Sequence, residues 1–346
     1  MDDVRRKVRI FVGNKRKYFY MKQEKLHRTA VAVLIAGIVL AALPALYACL
    51  PTGGNEQPES QLPMVTASPD VPAYTVFAGD TVRFDRADLR ERMDREQCAF
   101  TYMHSSTLLM LKRANRYFPV VEPILKEEGV PDDFKYLMAI ESSLDVLARS
   151  PAKACGLWQF MEGTARDYGL EVNAYIDERY HTEKATRAAC RYLKDAYAKY
   201  GDWLTVAASY NAGQGRISRE LNRQGVDTAV DLWLNPETSR YMFRLLALKE
   251  VFTQPKRFGF CLRRSQLYPP MHYRLVDVDS TITSLTDFAR SQGVLVRQLK
   301  ESNPWIQGYT LHNRTRRHYV VAIPDSASLH YRPEDTRAHD PAWVID

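Results

Sequence analysis

No metal-binding framework can be read from this chain. Its five cysteines (Cys49, Cys98, Cys155, Cys190, Cys261) form no CxxC pair and no metal spacing, and its eight histidines contain no HExxH. A zinc hydrolase therefore has no support, and no metal or other cofactor is expected. Isolated buried thiols are the default reading of the cysteines. An excess of one charge is also missing from most of the chain. The formal net charge is +7, but residues 1–28 hold ten Lys/Arg against three Asp/Glu, and the remainder holds 38 basic and 38 acidic residues. A nucleic-acid binder needs a basic face on its folded part. No nucleic-acid partner is expected.

Charge disappears altogether from Thr29 to Ala48, twenty residues. At ~1.5 Å per residue that length crosses a hydrocarbon core of ~30 Å. Behind the basic 1–28 segment it reads as a transmembrane anchor or signal segment, with everything after residue 48 exported. Leu46-Tyr47-Ala48-Cys49 also resembles a bacterial lipobox, in which Cys49 would be acylated after cleavage. Tyr47 is unusual there and the basic segment is long, so an uncleaved anchor is favoured. Both outcomes give a membrane-tethered exported protein.

With 45% hydrophobic and 26% charged residues over 346 positions, the chain has room for one large globular domain and one small one. Residues 49–72 are rich in proline and read as an extended tether. Residues 73–260 form the main domain. Tyr74 to Thr81 is like the opening of a LysM carbohydrate-binding repeat, but the charged, helical Arg86 to Glu96 follows, so a strand or loop leads into a helix. From Ala87 to Phe252 apolar residues recur at three and four, with no alternating strand run, which predicts a compact all-α domain. Pro131-Asp132-Asp133 is a helix start. Residues 270–325 change pattern to strand (Tyr273 to Val278), helix (Leu285 to Gln292), helix (from Val294) and strand (Tyr319 to Pro324), a small α+β module. The polar tail, 326–346, is expected to be loosely ordered. The fold class is mainly α.

One acidic residue carries the chemistry. Glu141 closes the apolar stretch Val130 to Ile140 and would sit near the C-terminal end of its helix. Apolar neighbours and the negative end of the dipole both disfavour ionisation. A carboxylic acid kept neutral near pH 7 is what protonation of a glycosidic oxygen requires. Gly156 and Gly163 would allow close turns or a substrate near the backbone. Trp158, Tyr168 and Tyr210 offer flat faces for sugar rings, and Gln159 and Asn211 offer amides for N-acetyl and hydroxyl groups. Asp145, Glu162 and Asp167 read as surface acids.

The order of the motifs is more specific than any one of them. Glu141-Ser142, Ser150, Gly156-Leu157-Trp158-Gln159, Thr164-Ala165, Tyr210-Asn211-Ala212-Gly213 and Arg240-Tyr241 resemble the lytic transglycosylases of the soluble-lytic-transglycosylase type, in particular their membrane-bound murein members. The likeness runs from about residue 95 to 258, and it implies a goose-type lysozyme fold. It also implies that Glu141 is the sole catalytic acid/base, cleaving the MurNAc-β-1,4-GlcNAc bond of peptidoglycan with a 1,6-anhydro product. By the same resemblance Ser150 hydrogen-bonds near Glu141 or the substrate, Gln159 and Asn211 hold the sugar, and Tyr210 and Tyr241 lie beside the developing charge. The chain departs from the family pattern at Val146, Lys153 (usually glycine), Cys155 (usually alanine) and Glu162. Residues 270–325 look like a degenerate LysM repeat, which implies glycan binding by analogy. Peptidoglycan strands are the expected partner and the bacterial periplasm the expected location, with protein partners unknown. A muramidase on the same fold, or a non-catalytic wall-binding scaffold, remain as alternatives.

Overall fold

The computed structural model describes residues 67–346. The expected basic segment, anchor and Cys49 lie outside the described residues, as does the tether up to residue 66. Among the described residues no helix is long and apolar enough to cross a membrane.

The chain begins with a hairpin, β1 (Tyr74–Phe77) and β2 (Asp80–Arg83), paired antiparallel with Phe77 opposite Asp80. Its two-residue turn, Ala78-Gly79, has positive φ at both positions (53° and 96°), as the tight turns that match strand twist require. Phe77 is buried edge-on against Phe134, with ring centroids 5.5 Å apart. The LysM-like opening of the sequence is therefore a hairpin clipped to the helical domain.

Seven helices build that domain: α1 (Ala87–Tyr102), α2 (His104–Glu127), α3 (Phe134–Ser142), α4 (Glu162–Asp167), α5 (Thr182–Tyr200), α6 (Trp203–Ala212) and α7 (Gln214–Gln224), closed by α8 (Pro236–Thr253). The periodic residues read from the sequence are the core: Leu111, Leu125, Leu137, Ile140 and Leu193 are all buried. On α5 the buried face is mostly alanine (Ala185, Ala188, Ala189, Ala196), which lets this helix lie close to α2. The start of α3 falls one turn later than Pro131-Asp132-Asp133 suggests. Those residues form a turn, and Asp133 accepts instead from Ala78 N and Lys249 Nζ, both at 2.7 Å. The acid binds the hairpin to α8 rather than capping a helix.

The C-terminal module pairs β3 (Tyr273–Val278) with β4 (Tyr319–Pro324), antiparallel, around α9 (Leu285–Ser291) and α10 (Val296–Ser302). The side chain of buried Asn303 ties α10 to β4: it donates to Ala322 O at 2.7 Å and accepts from Ala322 N at 2.8 Å. The module has its own core, including Leu285, Leu299, Trp305 and Val321, and Ile176 of the helical domain is part of it.

The polar tail is not loosely ordered. Trp343 is 2% exposed and donates its indole N–H to Phe252 O at 2.8 Å. His339 N donates to Asn115 Oδ1 at 2.7 Å, and Ile345 N to Leu262 O at 2.9 Å. One large apolar anchor is enough to fix a segment whose composition is otherwise that of a loop. Cys98, Cys155, Cys190 and Cys261 are all free thiols. Cys155 and Cys190 are buried as expected, whereas Cys261 is exposed.

Candidate active site

Glu141 stands in the last turn of α3, with Met138, Ala139 and Ile140 buried beneath it. The helix stops abruptly because Ser143 and Leu144 both take the left-handed conformation (φ 51° and 55°), an arrangement that costs about 1–2 kcal/mol per non-glycine residue. Ser142 makes the reversal possible. Its hydroxyl accepts from Leu144 N at 3.1 Å and donates to Met138 O at 3.1 Å. Arg113 Nη1 holds Ser143 O at 3.0 Å from outside. The Glu-Ser pair is thus an acid followed by the residue that turns the chain away from it.

The Glu141 side chain is only partly open to solvent. Tyr241, buried on α8, donates its hydroxyl to Glu141 Oε1 at 2.5 Å. Burial pushes the Glu141 carboxyl up to about 7, against the opposing effects of the Tyr241 hydrogen bond and the charge of Arg244, while the charge of Glu237 adds to the rise. Tyr241 itself is raised well above the usual phenol value by burial and by the Glu141 charge, so it stays a neutral donor. Tyr210 is raised likewise, by burial and then by Glu141. These three groups share one electrostatic environment.

The loop 148–160 meets this group at Tyr210. Cys155 and Phe160 exchange backbone hydrogen bonds (3.1 and 3.2 Å) and so pinch it into a tight hairpin. Gly156 has φ +78°, and a Cβ there would lie 1.9 Å from Arg179 O. Glycine is required here by a close chain crossing, the first of the two roles expected of it. At Gly163 nothing lies within 4 Å. Gln159 is itself left-handed (φ 50°) and its amide donates to Ala148 O (3.1 Å) and Gly156 O (2.8 Å). Its amide oxygen has no protein partner among the described residues. Tyr210 Oη donates to Trp158 O at 2.7 Å and so fastens the loop to α6, where Asn211 follows just before the helix ends at Gly213. Asn211 is half-buried, with no side-chain hydrogen bond among the described residues.

Other expected residues fall elsewhere. Ser150 Oγ accepts from Ala154 N at 3.0 Å. It shapes its own loop and makes no hydrogen bond to Glu141. Trp158 is not a sugar platform: it is fully buried, with its indole N–H on Thr186 Oγ1 at 3.0 Å. A tryptophan two residues after a glycine in a loop motif looks exposed in sequence, but here it fills the core behind the loop. Tyr168 donates to Asp195 and packs on Tyr192. Asp145 pairs with Arg113, Glu162 with Arg166, and Asp167 is exposed, as expected of surface acids. Lys153, where the family favours glycine, has φ 67°; the backbone keeps the glycine conformation and bears its strain. Sequence reasoning missed Glu237 and Arg244. Both were legible as the positions four before and three after Tyr241, on one face of α8.

The chain matches the family described as Transglycosylase SLT domain over residues 120–230, and the Soluble lytic transglycosylase C-terminal LysM-like domain over residues 274–327. Membrane-bound lytic murein transglycosylase D of Escherichia coli strain K12 is 28% identical over 246 residues, covering 68% of this chain and 52% of that protein. Peptidoglycan transglycosylase gp16 of Escherichia phage T7 is 37% identical over 79 residues, covering 22% of this chain and 6% of the phage protein. Among solved structures, an inactive mutant of lytic transglycosylase Slt from Pseudomonas aeruginosa matches with a TM-score of 0.34 and 25% identity, covering 40% of this chain and 24% of that one. The 70 kDa soluble lytic transglycosylase of Escherichia coli matches with a TM-score of 0.36 and 18% identity, covering 49% and 31%. The chain spans about half the length of the murein transglycosylase it matches. It is a homologue of membrane-bound lytic murein transglycosylase D that joins a transglycosylase SLT domain to a LysM-like C-terminal domain of the soluble lytic transglycosylases.

Proposed function

We propose that this protein is a peptidoglycan lytic transglycosylase in which Glu141 is the only acid/base. The observation that carries the reading is the Glu141 carboxyl itself: enclosed by protein, raised to about 7, and held by a buried tyrosine that stays neutral. Such a group can give a proton near neutral pH and take it back. Glu141 protonates the oxygen linking C1 of N-acetylmuramic acid to N-acetylglucosamine, and the C1–O bond breaks. Positive charge develops at C1, or is captured by the sugar's own acetamido group. The carboxylate then takes the proton of the muramoyl C6 hydroxyl as that oxygen bonds to C1. The products are a free 4-hydroxyl and a 1,6-anhydro ring, with Glu141 again protonated and no water consumed. Tyr210 and Tyr241 flank the developing charge, while Gln159 offers its amide oxygen and Asn211 its whole amide to the sugar. Ser150 acts through the loop it shapes.

Hydrolysis is the second reading, and one observation favours it. Glu237 stands close enough for its charge to act on Glu141, and a second carboxylate is what a water-activating glycosidase uses. The uncharged Thr29 to Ala48 segment behind ten basic residues supports a tether in the bacterial envelope facing the periplasm, as a single-pass anchor or through acylated Cys49. The SLT and LysM-like matches support peptidoglycan strands as the partner.

Mass spectrometry of muropeptides released from purified sacculi separates these readings. Anhydro-ended products from the wild type and none from Glu141→Gln are the expected result. Reducing-end products that vanish in Glu237→Gln would make it a muramidase, and no release at all would leave a wall-binding protein with an idle cleft.

A further inference from the structure

The loop that presents Gln159 is held from behind by one guanidinium. Arg179 is 6% exposed, and its Nη1 donates to Lys153 O (3.0 Å) and Phe160 O (3.2 Å), one on each arm of the loop. Its backbone carbonyl is the atom against which Gly156 packs. A buried arginine is tolerable only when its charge is met. Asp177 meets it with a fork, at 2.8 Å to Nε and 2.7 Å to Nη2.

Asp177 also faces the other way. Its N–H donates to Trp305 O at 2.8 Å, Gln307 N donates to Tyr175 O at 2.8 Å, and Ile176 bridges Ile306 antiparallel. Val172 and Asp177 form the preceding antiparallel bridge, so residues 305–307 of the C-terminal module add a short third strand to the edge of the 171–178 turn. Glu171, at the base of that turn, accepts from Arg317 Nη1 and Tyr319 Oη, both at 2.9 Å. A continuous set of hydrogen bonds therefore runs from the module through Asp177 and Arg179 into the Gln159 loop.

We propose that Asp177 and Arg179 form a positioning pair that transmits docking of the C-terminal module to the Gln159 loop, so that the module sets the cleft's affinity for glycan without touching it there. For its catalytic consequence this rests on the lytic reading above; its structural half does not. A module that merely buries Ile176 would leave the loop indifferent to how tightly residues 305–307 are held.

Hydrogen exchange on the full chain tests the structural half, with Glu171→Ala at the docking edge and Arg179→Lys at the loop. Glu171 makes no hydrogen bond to residues 153–160. Its substitution should nevertheless speed exchange of the Gly156, Gln159 and Phe160 amides about tenfold, together with those of residues 305–307. Arg179→Lys should do the same to the loop amides. On soluble glycan strands both should raise KM about fivefold with kcat and its pH profile unchanged. If Glu171→Ala frees 305–307 while the loop stays protected, the proposal is overturned, as it is if Arg179→Lys leaves the loop unaltered. Should 305–307 remain protected in Glu171→Ala, Ile306→Ser undocks the same edge and the loop is read again by the same rule. Faster loop exchange in a protein that releases nothing from sacculi would uphold the transmission and overturn the lytic reading.

Discussion

Replacing Glu141 with glutamine should make the folded protein more stable above neutral pH while removing its acid. The carboxyl is moved from 4.5 in the free side chain to about 7 in the fold, chiefly by burial. Between those two values the folded protein keeps a proton that the unfolded chain has released, so stability falls as pH rises through the window. At about 1.4 kcal/mol per pH unit, the loss above neutrality comes to ~3 kcal/mol. Glutamine has the same shape, accepts the Tyr241 hydroxyl through its amide oxygen, and carries no charge to desolvate. Its NH2 group finds poorer company than water, which returns ~1 kcal/mol. A net gain of ~2 kcal/mol corresponds to a Tm rise of ~4–8 °C for a protein of this size. Calorimetry of both proteins from about pH 4 to about pH 8 measures it: the glutamine variant should lie ~1 kcal/mol below the wild type at the acid end, and the curves should cross and separate as pH rises. A gap that does not change with pH, or a glutamine variant that melts lower at about pH 8, would refute the account of Glu141 as a carboxyl kept neutral by burial. Activity should follow the same titration, falling as pH rises through about 7 because the acid form starts the reaction.

Tyr241→Phe removes the hydrogen bond that lowers the Glu141 value, so the alkaline limb of the pH–rate profile should move upward while kcat drops. Gly156→Ala places a methyl 1.9 Å from Arg179 O at φ +78°; denaturant unfolding should show a loss of about 3 kcal/mol or more, with activity lost as the loop shifts. Lys153→Gly relieves an exposed left-handed lysine and should stabilise by roughly 0.5–1 kcal/mol in the same assay, with turnover unaffected. Trp343→Ala empties the pocket that fixes the tail and should cost about 3–5 kcal/mol.

The helical domain was legible because its signal is local. Apolar residues at three and four mark α2, α3 and α5, alternation marks β3, and a short apolar run marks β4, both strands to the residue. The raised carboxyl of Glu141 was legible because a carboxylate ending an apolar helix is costly to bury in its charged form. What failed to show in the sequence depends on contacts between distant segments. Asp133 looks like a cap until the hairpin 55 residues earlier supplies Ala78 N. Trp158 looks exposed until Thr186 supplies a buried acceptor, 28 residues on. The tail looks idle until Phe252 O meets Trp343, 91 positions away. In each case one polar partner, invisible to any window of sequence, decides which way a side chain faces.

Ile176 has a consequence for how the C-terminal module can act. A binding domain on a slack tether works by keeping its target nearby, over a range of distances set by the tether. Here a residue of the helical domain completes the small module's apolar interior, 1% exposed and paired to Ile306. The module is a ruler instead of a leash: a glycan gripped on its surface would meet Glu141 at one fixed offset. Pulling the module away would expose Ile176 to water and open the module's own interior at once, so the two regions should melt as one transition.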